Sequence, residues 1–353
     1  MGEGYAPSAA VELPSKMVQE IADSGYAVPE KYIHKEVSSI DPESLPWMPS
    51  DVLIDLQQLL LDSPSELHKF RSALLSWRCF QVVNHGMTSS FLDEVREITK
   101  QFFALPSEEK QKYMRPVDDF EGYGNDTFVS KDRVLDWTDR LYLLSYPEDR
   151  RRLKFWPEEP PSLREVLGEF SIKSQAVLKA VIKAMERSLD LKEGSIGDQY
   201  GEKGMIFSRF NFYPRCPLPD QVLGIIPHTD GSALTILLQN KEVEGLQVLK
   251  DDQWFKVPVI PDALFINAGD QCEIMSNGMF KSPVHRVVTN SERERVSVAM
   301  FCTPDPENEI GPAAELINDG QPQLYRNVKN YPTIFYHYYQ LGESPLASVK
   351  IQG

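Results

Sequence analysis

The sequence predicts a mixed α and β fold, a double-stranded β-helix (jelly roll) with flanking N-terminal helices and a C-terminal helix. Two observations carry this expectation. After Ser162, the residues Leu163, Val166, Leu167, Phe170, Val177, Leu178, Val181, Ile182, Met185 and Leu189 recur at three- and four-residue steps, the period of one helix face turned to a core. After Met205 the texture changes to short β-rich runs at 205–213, 233–238, 246–249, 254–257, 263–267 and 295–302, punctuated by Gly, Pro, Asn and Asp. Many short strands after one long helical section suit two facing sheets backed by helices.

The elements divide the chain in order. Residues 1–49 are proline-rich and polar, a leader expected to be partly ordered and to pack on the body. Residues 50–200 read as a mainly helical region, with helices at 64–79 and 88–104 that have Ser or Thr near their starts, followed by the long helix from Ser162. Residues 201–310 carry the jelly roll, and 311–353 form a C-terminal helical segment. There Tyr336-His337-Tyr338-Tyr339 has two readings, a helix over the barrel mouth or simple aromatic packing. No internal repeat or low-complexity tract interrupts this order.

Composition excludes several function classes. The chain has 353 residues and a formal charge of -15, enough length for a substantial core and the wrong sign for nucleic acid. The one basic run, Arg150-Arg151-Arg152, is short and reads as a solvated turn. Cys79, Cys216, Cys272 and Cys302 have no metal or redox spacing, so reduced thiols are expected. No 18-residue apolar span or signal-peptide pattern is present, and Ala6 spoils the Met-Gly start as a myristoylation motif. The expectation is a cytoplasmic monomer that handles a small molecule, with no nucleic-acid or membrane partner.

The chemistry concentrates in a spaced set. His228-Thr229-Asp230 is followed by His285 and, ten positions later, by Arg295-Val296-Ser297. Two imidazoles and a carboxylate make a facial triad for Fe(II), with open positions for co-substrate and oxygen. A chance His-x-Asp is common in a chain with 52 acidic residues, and Arg295 has Glu292 and Glu294 nearby as ordinary partners. Strand periodicity decides between these readings. Arg295, Ser297, Ala299 and Phe301 share one face at i, i+2, i+4 and i+6, and charged, hydroxylic, tiny and aromatic make a pocket lining, not a core face. His228 and Asp230 likewise share a face when extended, which the preceding Pro227 favours.

With these motifs the chain resembles the plant-type 2-oxoglutarate- and Fe(II)-dependent dioxygenases over roughly residues 50 to 340. Phe80-Gln81-Val82-Val83-Asn84-His85-Gly86 is similar to the family's N-terminal signature, and Glu121-Gly122-Tyr123-Gly124 and Asp136-Trp137-Thr138-Asp139 to its middle blocks. Asn211-Phe212-Tyr213-Pro214-Arg215-Cys216-Pro217 is similar to the block before the first ligand. The stretches 231–237 and 244–248 look most like the branch acting on specialised metabolites, which includes alkaloid O-demethylases. Asp51-Val52-Leu53-Ile54-Asp55-Leu56 lacks the proline usual before the family's first strand.

The resemblance implies roles. His228, Asp230 and His285 would be catalytic metal ligands for Fe(II). Arg295 and Ser297 would hold the far carboxylate of 2-oxoglutarate, a task suited to a bidentate guanidinium, with Tyr213 and Asn211 also touching the co-substrate. For Asn211 a turn-forming side chain is the alternative. Phe301 would face a flat substrate, and Thr303 stands where some flavonoid-modifying relatives are acidic. The implied reaction uses O2, with ascorbate as reductant, decarboxylates 2-oxoglutarate to succinate, and hydroxylates or O-demethylates a small, planar specialised metabolite. A pocket lined by aromatics and without a cluster of buried charges would favour a planar, mostly apolar metabolite. Alternatives are a same-fold oxidase not using 2-oxoglutarate, a nucleic-acid demethylase, which the acidic balance opposes, and a non-catalytic jelly-roll binding protein. Succinate formation separates the first, and an anaerobic Fe(II) titration the last.

Overall fold

The computed structural model describes residues 16–25, 27–34, 44–117, 119–126, 134–341 and 343–351. Much of the expected leader, residues 1–15, 26 and 35–43, lies outside the described residues.

The helices begin where capping chemistry allows. The leader contributes α1 (Val18–Asp23), held by the Asp139 carboxylate, which accepts the backbone N–H groups of Val18 and Gln19 at 2.8 and 2.9 Å. Two short helices, α2 (Leu56–Leu60) and α5 (Ser107–Gln111), bracket the longer α3 (Pro64–Ser76) and α4 (Ser89–Ala104). Pro64 opens α3 at a position whose N–H has no helical acceptor, and the Thr88 hydroxyl caps Phe91 at the start of α4. The 64–79 expectation overshoots, because Arg78 turns into positive φ and Cys79 already begins a strand. The long helix α6 (Leu163–Ser188) buries the apolar stripe read from the sequence and packs on sheet strands and on α3 and α4. Short α7 (Gly197–Tyr200) and α8 (Asp270–Met275) follow, and α9 (Tyr331–Leu341) closes the chain's last helical segment. No helix among the described residues is long and apolar enough to cross a membrane.

The strands are β1 (Leu53–Asp55), β2 (Cys79–Val83), β3 (Gly122–Gly124), β4 (Asp139–Tyr146), β5 (Met205–Tyr213), β6 (Leu223–His228), β7 (Leu234–Leu238), β8 (Leu246–Lys250), β9 (Gln253–Lys256), β10 (Leu264–Ala268), β11 (His285–Val288) and β12 (Arg295–Thr303). They form a major sheet ordered β1-β2-β10-β7-β12-β5-β4-β3 and a minor sheet ordered β6-β11-β8-β9. The β8–β9 hairpin turns at Asp251 and Asp252, both at positive φ, the twist a two-residue hairpin requires. The major sheet takes β1 to β4 from residues 53–146, so the region expected to be mainly helical also supplies half of that sheet. Phe80, Phe210, Ile236, Leu264, Ile266 and Met300 of this sheet are fully buried.

Two smaller expectations need correction. Arg150-Arg151-Arg152 is not a solvated turn: Arg151 stacks over Trp156 and Arg152 pairs with Asp119 and Glu121. The C-terminal aromatics do lie on a helix, and Tyr336 and Tyr339 face a cavity at the barrel mouth. The four cysteines are free and buried.

Candidate functional site

The minor sheet brings the histidines together. β11 pairs with β6 so that His285 lies opposite His228, with ring centroids 4.2 Å apart. Asp230 lies just past the end of β6, and its Oδ1 is 3.6 and 3.7 Å from the Nε2 atoms of His228 and His285. The three donor atoms lie within 4.8 Å of one another. The other atoms of each side chain are tied down. His228 Nδ1 is 2.8 Å from the Ile226 carbonyl and His285 Nδ1 is 3.2 Å from that of Pro283. Carbonyls only accept, so each Nδ1 carries the proton and each Nε2 offers its lone pair. Asp230 Oδ2 accepts from Thr235 Oγ1 at 2.6 Å and Asn267 Nδ2 at 2.9 Å. These partners stand on β7 and β10, so the major sheet aims a carboxylate at histidines of the minor one.

Electrostatics keep His228 and Asp230 in ligating form. Burial, helped by the neighbouring His285, lowers the His228 pKa well below the usual imidazole range, leaving it neutral. Burial alone would raise the Asp230 carboxyl, but the two histidines and the Thr235 and Asn267 hydrogen bonds bring it below the ordinary value. Two neutral nitrogens and one anionic oxygen on one side of a point suit a six-coordinate Fe(II) with open positions. The donor set fits that metal.

The co-substrate candidates lie on the β5–β12 ladder. Arg295 is opposite Tyr213 and Ser297 opposite Asn211, and all four are buried. Arg295 is only 3% exposed, yet its Nε and Nη1 have no hydrogen-bond partner, and Nη2 meets Gln239 Oε1 at a long 3.5 Å. Glu292 and Glu294 do not neutralise it. The guanidinium lies over the Tyr213 ring, 5.1 Å from its centroid, and passes so close to Gly245 that a Cβ there would meet its Cδ at 3.0 Å. A buried guanidinium with idle donors is costly unless a ligand carboxylate completes it. Asn211 lies within β5 rather than in a turn, and its Nδ2 donates to Ser297 Oγ at 3.3 Å.

A cavity of about 480 Å³ reaches the triad. His228 and Asp230 line its floor, while Arg295, Ser297, Tyr213 and Asn211 are not among its lining residues. Phe301 lines its wall, stacked on Tyr142 at 6.0 Å, and Tyr142 stacks on Phe207 at 5.7 Å. Phe120 joins them edge-on, and Phe335 and Tyr339 of α9 stack at 5.5 Å. Thr303 lines the same cavity.

The cavity also carries a buried charge cluster, so the condition for a mostly apolar metabolite is not met. Asp126 bridges Arg140 and Arg209 at 2.7 Å each, and all three line the cavity. Burial alone would raise the Asp126 carboxyl, but the two guanidiniums hold it well below the usual carboxylate range. Sequence reasoning missed these residues, although the alternation that marks Asn211 and Tyr213 also places Phe207 and Arg209 on the same face of β5. Arg140 and Tyr142 stand opposite Asn211 and Arg209 on β4, a strand the sequence reading did not find.

Comparison with known proteins agrees with this geometry. Residues 204–304 match the family model described as 2OG-Fe(II) oxygenase superfamily, and residues 53–159 match the non-haem dioxygenase in morphine synthesis N-terminal model. Codeine O-demethylase of Papaver somniferum is 38% identical over 92% of this chain and 90% of its own length. Jasmonate-induced oxygenase 4 of Arabidopsis thaliana is 40% identical over 75% of this chain and 76% of its own. The crystal structure of JOX2 in complex with 2OG, Fe, and JA superposes with a TM-score of 0.84 at 34% identity, covering 96% of this chain and 98% of that one.

Proposed function

The chain belongs to the 2OG-Fe(II) oxygenase superfamily and is an Fe(II)/2-oxoglutarate-dependent dioxygenase; from that premise we propose that it hydroxylates or O-demethylates a small, largely planar specialised metabolite. The observation that supports the reading best is Arg295, a buried guanidinium with idle donors on the strand that follows the triad. His228, Asp230 and His285 hold the metal, and Arg295 with Ser297 grips the far carboxylate of the co-substrate while Tyr213 and Asn211 shape the same end. Iron held by His228, Asp230 and His285 would supply activation of O2, one atom of which would enter a substrate C–H bond while the other goes into succinate as 2-oxoglutarate loses carbon dioxide.

The chain's own residues do the positioning. Thr235 and Asn267 fix Asp230, the two backbone carbonyls fix the imidazoles, and the aromatic wall of Phe301, Tyr142 and Phe207 presents a flat skeleton beside the triad. Phe335, Tyr336 and Tyr339 of α9 add to the lining of the cavity. Gly231, next to Asp230, leaves the space that the Phe335 ring fills. Hydroxylation of an O-methyl carbon yields a hemiacetal that collapses to formaldehyde, so one site serves both outcomes. O-demethylation is named for the codeine O-demethylase relative. Ascorbate is the expected reductant, and a cytoplasmic monomer the expected setting.

The test is a metabolite screen with purified protein, Fe(II), ascorbate and 2-oxoglutarate, read by mass spectrometry. The reading requires succinate in step with a substrate gaining one oxygen or losing one methylene. Oxidised product without succinate would assign the chain to an oxidase that does not use 2-oxoglutarate.

A further inference from the structure

The substrate cavity holds an unequal set of charges. Arg140 and Arg209 share one carboxylate, Asp126, which takes Arg140 Nε on one oxygen and Arg209 Nη1 on the other. Arg140 Nη1 is spent on the carbonyls of Phe120 and Gly122. Arg209 Nε donates to Asn211 Oδ1 at 2.6 Å. Arg209 Nη2 is buried and has no partner. Arg140 and Arg209 share one anion, and Arg115, whose Nη1 donates to the Asp119 carbonyl, also lines the cavity, so the permanent cations of the lining outnumber the carboxylate set among them. The other acidic lining residues do not cancel the excess: Asp230 faces the triad histidines, and Glu307 is exposed at the rim.

Arg209 is also placed to meet a bound molecule. It stands beside Tyr142 and one ladder row from Phe207 on the same face, so an aromatic wall and an idle N–H donor share one surface. A buried N–H could be satisfied by a neutral carbonyl, but the excess charge could not. An apolar ligand would leave both the donor and the charge uncompensated, a costly arrangement in a desolvated pocket. Resting on the dioxygenase reading above, we propose that the organic substrate carries an anionic group, a carboxylate or its equivalent, bound at Arg209 Nη2, with the apolar skeleton against Tyr142, Phe207 and Phe301. Asp126 then acts as the positioning residue that holds both guanidiniums in place, and Asn211 links this subsite to Ser297 on the co-substrate side.

The test is calorimetric binding to enzyme loaded anaerobically with Fe(II) and saturating 2-oxoglutarate, which keeps acids out of the Arg295 site. The probes are phenylacetate, cinnamate, 1-naphthylacetate and cyclohexylacetate, each beside its methyl ester. At least one acid should bind about tenfold or more tightly than its ester, and Arg209→Gln, which leaves Asp126 paired one-to-one with Arg140, should erase that preference. Should Arg209→Gln fail to fold, Arg209→Lys, which keeps charge but loses the fork, should cut the preference at least about threefold. The proposal is overturned if no acid outbinds its ester, or if the preference survives unchanged in the variant examined. Failure of the dioxygenase reading looks different, because the wild-type protein would then show no saturable binding of 2-oxoglutarate.

Discussion

Arg295 and Arg209 stand on neighbouring strands of one sheet face, two same-face rows apart, and the fold treats them oppositely. Arg209 shares a carboxylate with Arg140 and leaves one donor idle. Arg295 has no carboxylate at all and leaves two donors idle. Both are buried, and a buried guanidinium is stable only when its charge is met. The difference matches what each end has to bind. On the proposed reading, a co-substrate that is the same in every turnover supplies the whole counter-charge at Arg295, and the protein supplies none. The substrate end keeps its arginines aligned with Asp126 and leaves a smaller share of the recognition to the ligand. Where one end is built around an absent anion and the other around a present one, stability and function should separate under mutation.

The largest effect should come from the present anion. Asp126→Asn leaves Arg140 and Arg209 facing each other without their shared anion, which should cost about 3–5 kcal/mol of stability, read by denaturant unfolding. Arg295→Met removes a charge with no carboxylate partner, so the metal-free protein should melt at the same temperature or higher. A large loss of stability in Arg295→Met would mean that its charge is already compensated, and the comparison would collapse.

Next is Arg295→Ala, which strands the co-substrate's far carboxylate. It should weaken 2-oxoglutarate binding by about 2–5 kcal/mol, roughly thirtyfold or more, and leave the binding of the organic substrate nearly unchanged. Arg295→Lys should sit between, losing on the order of tenfold. Gly245→Ala comes third. Its Cβ would press on Arg295 Cδ at 3.0 Å, so the apparent KM for 2-oxoglutarate should rise by a factor equivalent to about 1 kcal/mol, with the Kd for Fe(II) unaltered. Ser297→Ala is the smallest, losing one neutral donor at about 0.5–1.5 kcal/mol. A shift in Fe(II) affinity larger than the shift for 2-oxoglutarate in Gly245→Ala would place Arg295 at the metal rather than at the co-substrate.

The sequence made the ladder legible and the cavity wall only partly so. Residues 205–213 and 295–302 alternate polar and apolar side chains between their two faces, and their register places Arg295 opposite Tyr213 and Ser297 opposite Asn211. The long α6 stripe was equally plain, since a helix that backs a sheet must keep one apolar face. β2 and β4 were not found. β2 is Cys79–Val83, buried on nearly every residue, so it has no polar alternation to mark it. β4 is also buried on most residues, and its inward charges, Asp139 and Arg140, read as surface until their partners from distant segments are seen. The Asp126 cluster was invisible for the same reason. Its three members lie 14 and 83 positions from one another across the chain, and no local period connects them.

The proposed grip of Arg295 on the distal carboxylate of 2-oxoglutarate is tested most directly by a ligand that lacks that group. Anaerobic binding of 2-oxoglutarate and of 2-oxopentanoate, which keeps the metal-chelating end and ends in a methyl group, should be compared in wild-type and Arg295→Ala protein loaded with Fe(II). Wild type should prefer 2-oxoglutarate by about thirtyfold or more, and the variant should bind the two ligands about equally. A variant that still prefers 2-oxoglutarate as strongly as wild type would mean that the carboxylate is held by some other residue.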